Sequence, residues 1–258
     1  MQKSDILGKN TEKLKDKKFF LLDLDGTIYN ENTLFDGTLE FINKVRANGG
    51  KCLFVTNNSS KGLGDYVKKL NRLGIKATKE DFFSSSMATS ILLNEKFPGK
   101  KVYVQGTKSL IKELKQSGIR VTTKVEDDID VILLGFDTEL TSQKLRNTSY
   151  LLTTRNLPYY ATNQDWVCPV SFGYIPDCGS ISEMLKRATG IEPIFIGKPK
   201  PTMIELAMKK YNFSKGETVV IGDRVYTDIA SGFNAGVDTI CVLTGESTLE
   251  SISKEERL

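Results

Sequence analysis

Five short apolar runs constrain this chain more than any other feature. They are FFLLDLD (19–25), KCLFVTN (51–57), EPIFIG (192–197), TVVIGD (218–223) and TICVLTG (239–245), and each ends in a polar or glycine-rich loop. Runs of this length read as buried strands. Helical patterns separate several of them. GTLEFINKVRANGG spaces Leu39, Ile42 and Val45 at helical intervals before Gly49-Gly50, and PTMIELAMKKYN opens with Pro201 near a helix start. Strands alternating with helices predict an α/β fold with a parallel sheet covered on both faces. Ligands in such sheets sit beyond the carboxyl ends of the strands. The unusual polar residues gather at those ends: Asp23 and Asp25, Thr56 and Asn57, and Asp223.

The second and third runs are separated by the 134 residues from 58 to 191. A simple crossover needs far fewer. The middle of this stretch has its own strand–helix rhythm: KVYVQG, TKSLIKELKQSG and IRVTT, then VILLGF, TSQKLRNTSYLLTTRN and LPYYATN. The expectation is a second α/β domain over 80–178, inserted into a first made of 1–79 and 179–258. Ser84-Ser85-Ser86 and Pro176-Asp177-Cys178-Gly179 are the expected hinges.

Composition excludes several function classes. There is no histidine, so a Ser-His-Asp triad, a phosphohistidine and a His-ligated zinc are ruled out. Acid–base work falls to carboxylates, Lys, Tyr or Cys. The 258 residues carry a net charge of +4, from 36 basic and 32 acidic side chains, with 39% apolar and 26% charged residues. This balance predicts a soluble core and gives no reason to expect nucleic acid as a partner. No apolar run reaches the roughly 20 residues of a membrane span, and MQKSDILGKNTEKLKDKK lacks the apolar stretch of a signal peptide. Cys52, Cys168, Cys178 and Cys241 have no C-x-x-C spacing and are expected as reduced, buried thiols of a cytoplasmic protein.

Taken alone, each polar motif has two readings. Asp23-x-Asp25 is either an Asp-Gly turn closing a strand or a functional pair, since two carboxylates after four buried apolar residues are costly without a partner. It is not a calcium loop, because Thr27, Ile28 and Leu34 occupy positions that would need Asp/Asn, Gly and Glu. Thr56-Asn57-Asn58-Ser59-Ser60 reads as a helix cap or a phosphate cradle. Lys198, in Gly197-Lys198-Pro199-Lys200-Pro201, is a surface lysine or one aimed inward by a stiff loop. Asp223, with Asp228 five residues on, is a strand terminus or part of a site for a hard cation. A P-loop, a dinucleotide fingerprint and a cysteine-phosphatase loop all fail on spacing.

Together these motifs resemble those of the haloacid dehalogenase superfamily: D-x-D-G-T at Asp23–Thr27, Thr56-Asn57, Lys198, and G-D-x-x-x-T-D at Gly222–Asp228. VTNNSS, IGKPKP and GDRVYTDIASGFNAGVDTICVLTG resemble the NagD/4-nitrophenylphosphatase group. The resemblance implies a Rossmann-like parallel-sheet core with an inserted α/β cap domain of the C2 type. It implies that Asp23 is a nucleophile forming an aspartyl-phosphate and Asp25 the general acid and then base. Thr56, Asn57 and Lys198 would hold the phosphoryl group. Asp23, the Asp25 carbonyl and Asp223 would bind Mg²⁺, with Asp228 supporting. In the cap, Asp165 matches a TN-x-D pattern. With Trp166 it is a candidate for reading the substrate, although burial in the core is the more ordinary fate for Trp166 and Tyr174.

The implied activity is hydrolysis of small phosphate monoesters (sugar phosphate, nucleotide or 4-nitrophenyl phosphate) in the cytoplasm, with neither nucleic acid nor membrane as partner. Pairing of cap surfaces into a homodimer is the implied assembly. Two rivals use the same residues. A phosphomutase or phosphotransferase would pass the phosphoryl group to a second hydroxyl, and a non-catalytic sensor would only bind the phospho-ligand.

Overall fold

The computed structural model describes residues 4–170 and 172–254. The chain divides into two compact units. Within the described residues, the first comprises the stretch to Thr56, Tyr66–Phe83, and Lys198 onward; the second comprises Asn57–Asp65 and Ser84–Gly197.

The first unit is built on a sheet ordered Asp238–Cys241, Thr218–Gly222, Phe19–Leu22, Lys51–Thr56 and Phe82–Ser84. The Phe19–Leu22 strand is central and pairs in parallel with Thr218–Gly222 on one side and Lys51–Thr56 on the other. Phe19, Leu21, Leu22, Leu53 and Phe54 are buried. Burying each such side chain contributes about 1.5–3 kcal/mol, which fixes the register at the middle of the sheet. The helix Thr38–Ala47 turns Ile42 and Val45 inward.

The second unit has its own sheet, ordered Ile194–Phe195, Tyr159–Ala161, Val131–Leu134, Lys101–Gln105 and Arg120–Thr122. Its core joins Tyr103, Ile132, Leu134, Phe136, Leu151 and Ile181. Three of its helices begin with side-chain caps: Ser84 accepts from the Met87 amide, Thr107 from Leu110 and Thr141 from Lys144. Each satisfies an amide that the first helical turn leaves unpaired.

Two expectations are corrected here. EPIFIG is not a strand of the first sheet: Ile194 and Phe195 pair with Tyr160 and Ala161 in the second. The units also do not divide at 80 and 178. The helix Cys178–Thr189 packs Cys178, Ile181 and Leu185 into the second core, so this unit extends to Gly197 and also takes in Asn57–Asp65. All four cysteines are free, but only Cys52 and Cys178 are buried; Cys168 and Cys241 are half-exposed. Among the described residues, no helix is long and apolar enough to cross a membrane.

Candidate active site

Three adjacent parallel strands of the first unit end together. Leu22 is level with Ile221 and with Phe54. Asp23 therefore follows the central strand by one residue, while Asp223 and Thr56 lie two residues beyond their register partners. The Asp23 amide still donates to the Ile221 carbonyl at 2.9 Å, which holds its backbone in the ladder.

Asp228 arrives by another route. The amides of Asp228 and Ile229 both donate to the Arg224 carbonyl, at 2.9 and 3.2 Å, so the chain widens into a π-helical turn over Val225–Ile229. Such turns concentrate at functional sites. Asp228 is buried and its Oδ2 accepts from the Arg224 amide at 3.2 Å. Gly26 allows the other side of the site to close. Its φ of +85° is a left-handed conformation, and a Cβ there would lie 2.5 Å from Asp223 Oδ2. A side chain at this position would be strained and would also displace the carboxylate.

Lys198 joins the acids. It is 4% exposed, and its Nζ donates to Asp23 Oδ1 and Asp228 Oδ1, at 2.5 Å each. Asp223 Oδ2 accepts from the Glu246 amide at 2.8 Å, and Arg224 pairs with Glu246 at 3.0 Å. One carboxylate oxygen from each of Asp23, Asp223 and Asp228 lies within 4.8 Å of the others.

This crowding shifts proton affinities. Burial, reinforced by Asp228, raises the Asp23 carboxyl to about 7 against the pull of Lys198. Burial also raises Asp223, against the hydrogen bond from the Glu246 amide and with Asp228 adding to the rise. Burial works against the charge on Lys198, but Asp228 and Asp23 overcome it and hold the ammonium above the ordinary lysine range. One ammonium between carboxylates that still repel leaves negative charge for a cation to offset. An all-oxygen donor set of few carboxylates suits Mg²⁺, which retains water and takes substrate phosphate oxygens. Asp23, Asp223 and Asp228 fit that ion.

Asp25 contributes no carboxylate oxygen to this group. Its side chain is 60% exposed and lies 3.7 Å from Lys69 Nζ, and the Tyr29 hydroxyl donates to its Oδ2 at 3.4 Å. Thr56 is buried at the end of its strand. Asn57 falls in the second unit, where its carbonyl accepts from Ser85 Oγ at 2.6 Å and its Nδ2 donates to Asp165 Oδ2 at 3.0 Å. Asp165 accepts from Asn163 as well, at 3.3 Å. Trp166 is 61% exposed and Tyr174 69% exposed, contrary to the expected packing. In the hairpin of Val167–Val170 and Gly173–Pro176, the facing pair Cys168 and Ile175 turns toward the core. The neighbouring pairs, Pro169 with Tyr174 and Val167 with Pro176, therefore turn away.

Sequence reasoning missed Tyr29, Lys69, Glu246 and Ser85. Tyr29 carried a faint signal, four residues after Asp25. The other three carried none, since each acts through a contact distant in sequence.

Comparison with known proteins identifies the family. The haloacid dehalogenase-like hydrolase family profile matches residues 20–120, and a related profile, for the HAD-hydrolase-like group, matches residues 195–257. The acid sugar phosphatase of Staphylococcus saprophyticus is 35% identical over 242 residues, covering 94% of this chain and 92% of that protein. The 4-nitrophenylphosphatase from Thermotoga maritima superposes with a TM-score of 0.88 at 35% identity, covering 95% of this chain and 93% of the other. A glycerol phosphate phosphatase from Mycobacterium tuberculosis, solved in complex with magnesium, gives 0.87 at 30% identity, covering 95% of this chain and 73% of that one. The chain belongs to the haloacid dehalogenase-like hydrolase family. Its place within that family is the NagD/4-nitrophenylphosphatase-like group.

Proposed function

We propose that this protein is a Mg²⁺-dependent phosphatase that hydrolyses small phosphate monoesters of the sugar phosphate, nucleotide or 4-nitrophenyl phosphate type through an aspartyl-phosphate on Asp23. The observation that carries this reading is the convergence of Asp23, Asp223 and Asp228 within 4.8 Å of one another, with Lys198 paired to Asp23 and Asp228. The names of the similar proteins, acid sugar phosphatase and 4-nitrophenylphosphatase, support the same class of substrate.

Asp23, Asp223 and Asp228 would hold Mg²⁺, with the Asp25 carbonyl. The ion supplies positive charge against which an anionic nucleophile can approach an anionic ester. A carboxylate oxygen of Asp23 attacks phosphorus and forms the acyl-phosphate bond as the ester P–O bond breaks. The Asp25 carboxyl gives its proton to the departing oxygen. Asp25, now a carboxylate, takes a proton from water as the water oxygen bonds to phosphorus and the Asp23–phosphorus bond breaks. Inorganic phosphate leaves and both carboxyls regain their starting states. Splitting one hard displacement into two easier ones is the advantage of the covalent route. Lys198 and Thr56 would neutralise and orient the phosphoryl oxygens, and Asn57, the next residue after Thr56, keeps its proposed phosphate-binding role. The second unit is the proposed cap, with Asp165 and Trp166 as its proposed substrate-reading residues.

The test is phosphate release from a panel of monoesters, with and without Mg²⁺ and with no acceptor alcohol, by the wild type and by Asp23→Asn. Wild-type release that needs Mg²⁺ and vanishes in the variant is the expected result. Near-full activity of Asp23→Asn would overturn the mechanism, and turnover that needs a second hydroxyl acceptor would favour the phosphotransferase.

A further inference from the structure

We propose that Tyr29 and Lys69 are positioning residues for Asp25, holding its carboxyl out of the acid cluster and in place for proton transfer. The inference rests on the function proposed above. Asp25 stands two residues from Asp23, on a turn, and its side chain is 60% exposed. A fourth carboxylate so close would be drawn toward any cation held by the other three, and a carboxyl turned that way is aimed away from the departing oxygen.

Three contacts oppose that motion. The Tyr29 hydroxyl donates to Asp25 Oδ2 at 3.4 Å, and Lys69 Nζ lies 3.7 Å from Asp25 Oδ1. Lys69 Nζ also sits 3.6 Å from the centre of the Tyr29 ring, within cation–π range. Each of the three groups therefore touches the other two. The ammonium on the ring face draws electron density from the phenol and strengthens its hydroxyl as a donor toward the carboxylate.

The triangle stands on rigid supports. Tyr29 is fully buried. Its backbone bridges to Asp25, and its carbonyl accepts from the Gly26 amide at 2.9 Å, so the turn and the ring are one unit. Lys69 comes from the helix Leu63–Arg72, and its side chain is 26% exposed. Asp25 takes no part in the cluster of Asp23, Asp223 and Asp228, as this holding arrangement requires.

The choice of leaving group separates this role from a purely structural one. A sugar or glycerol alkoxide needs a proton as it departs, whereas 4-nitrophenolate leaves without one. The experiment compares Lys69→Met, Tyr29→Phe and Lys69→Arg with the wild type, in Mg²⁺. Single-turnover release of alcohol from glycerol 3-phosphate or glucose 6-phosphate, whichever the wild type turns over faster, is set against release of 4-nitrophenol from 4-nitrophenyl phosphate. General acid catalysis supplies about 10²–10⁴-fold, so partial mispositioning should slow the alkyl ester about tenfold and the nitrophenyl ester less than about threefold in the Met and Phe variants. Lys69→Arg should recover most of the alkyl loss. Equal losses on both esters, or an unchanged alkyl rate, would overturn the inference while leaving the phosphatase reading in place. A folded wild type that releases phosphate from no monoester of the panel would overturn both.

Discussion

Asp23→Asn should abolish turnover and yet stabilise the metal-free protein at alkaline pH. In chelator, burial and Asp228 raise the Asp23 carboxyl from 3.8 in the unfolded chain to about 7 in the folded one. A group raised in this way contributes stability that is fully present below about 4 and is lost as pH rises through 7. At pH 8 the folded wild type therefore carries an ionised, crowded carboxylate that the unfolded chain would hold in water. At about 1.4 kcal/mol for each pH unit, the upper bound on this cost is roughly 4 kcal/mol. Relaxation of the metal-free site reduces it, so about 1–2 kcal/mol is the working figure. Asparagine keeps the size of the side chain and removes the charge. A domain of this size gains about 2–4 °C in Tm per kcal/mol, so the variant should melt several degrees above the wild type at pH 8 in chelator. The two curves should converge as pH falls to 5, where the folded wild type is protonated at Asp23. Added Mg²⁺ should stabilise the wild type more than the variant. Thermal melts at pH 5 and 8, with EDTA or Mg²⁺, test all of this. An Asp23→Asn protein less stable than the wild type at pH 8 in EDTA would refute the reasoning, because it would mean that the Lys198 contact outweighs the crowding.

Lys198→Met should abolish turnover and cost about 3–5 kcal/mol in urea unfolding, the usual penalty for leaving buried charges unpaired; a loss below about 1 kcal/mol would show that the carboxylates find water instead. The apparent affinity for Mg²⁺ should weaken as pH falls through about 7, where protons begin to compete for Asp23, and calorimetric titration at pH 6 and 8 reads this directly. Gly26→Ala should destabilise the fold by about 1–3 kcal/mol and weaken Mg²⁺ binding, since its methyl group meets Asp223 in a left-handed backbone. Unaltered Mg²⁺ affinity in that variant would show that Asp223 can move without consequence.

The sequence by itself determined the chemistry on offer. Apolar runs long enough to be buried strands announced the sheet, and acids at their ends could not be there cheaply, so Asp23 and Asp223 were legible before any coordinates. The absence of histidine excluded a Ser-His-Asp triad, a phosphohistidine and a His-ligated zinc. A strand tells which residues it buries because its pattern is local. It does not tell which sheet it joins. Ile194–Phe195 looked like its neighbours in the chain, but pairing with Tyr160 and Ala161 put it in the second unit and moved the boundary to Gly197. Trp166 was a candidate for reading the substrate, with core packing the more ordinary fate for it and for Tyr174; in the structure both are exposed, and the alternation of the hairpin turns Tyr174 outward. The split between the two acids of the first motif was likewise a tertiary outcome. Asp23 meets Asp223, Asp228 and Lys198, while Asp25 meets Tyr29 and Lys69. All of these partners except Tyr29 lie far from the two acids in sequence. They come together only because parallel strands end side by side and a separate helix lays its lysine over the turn.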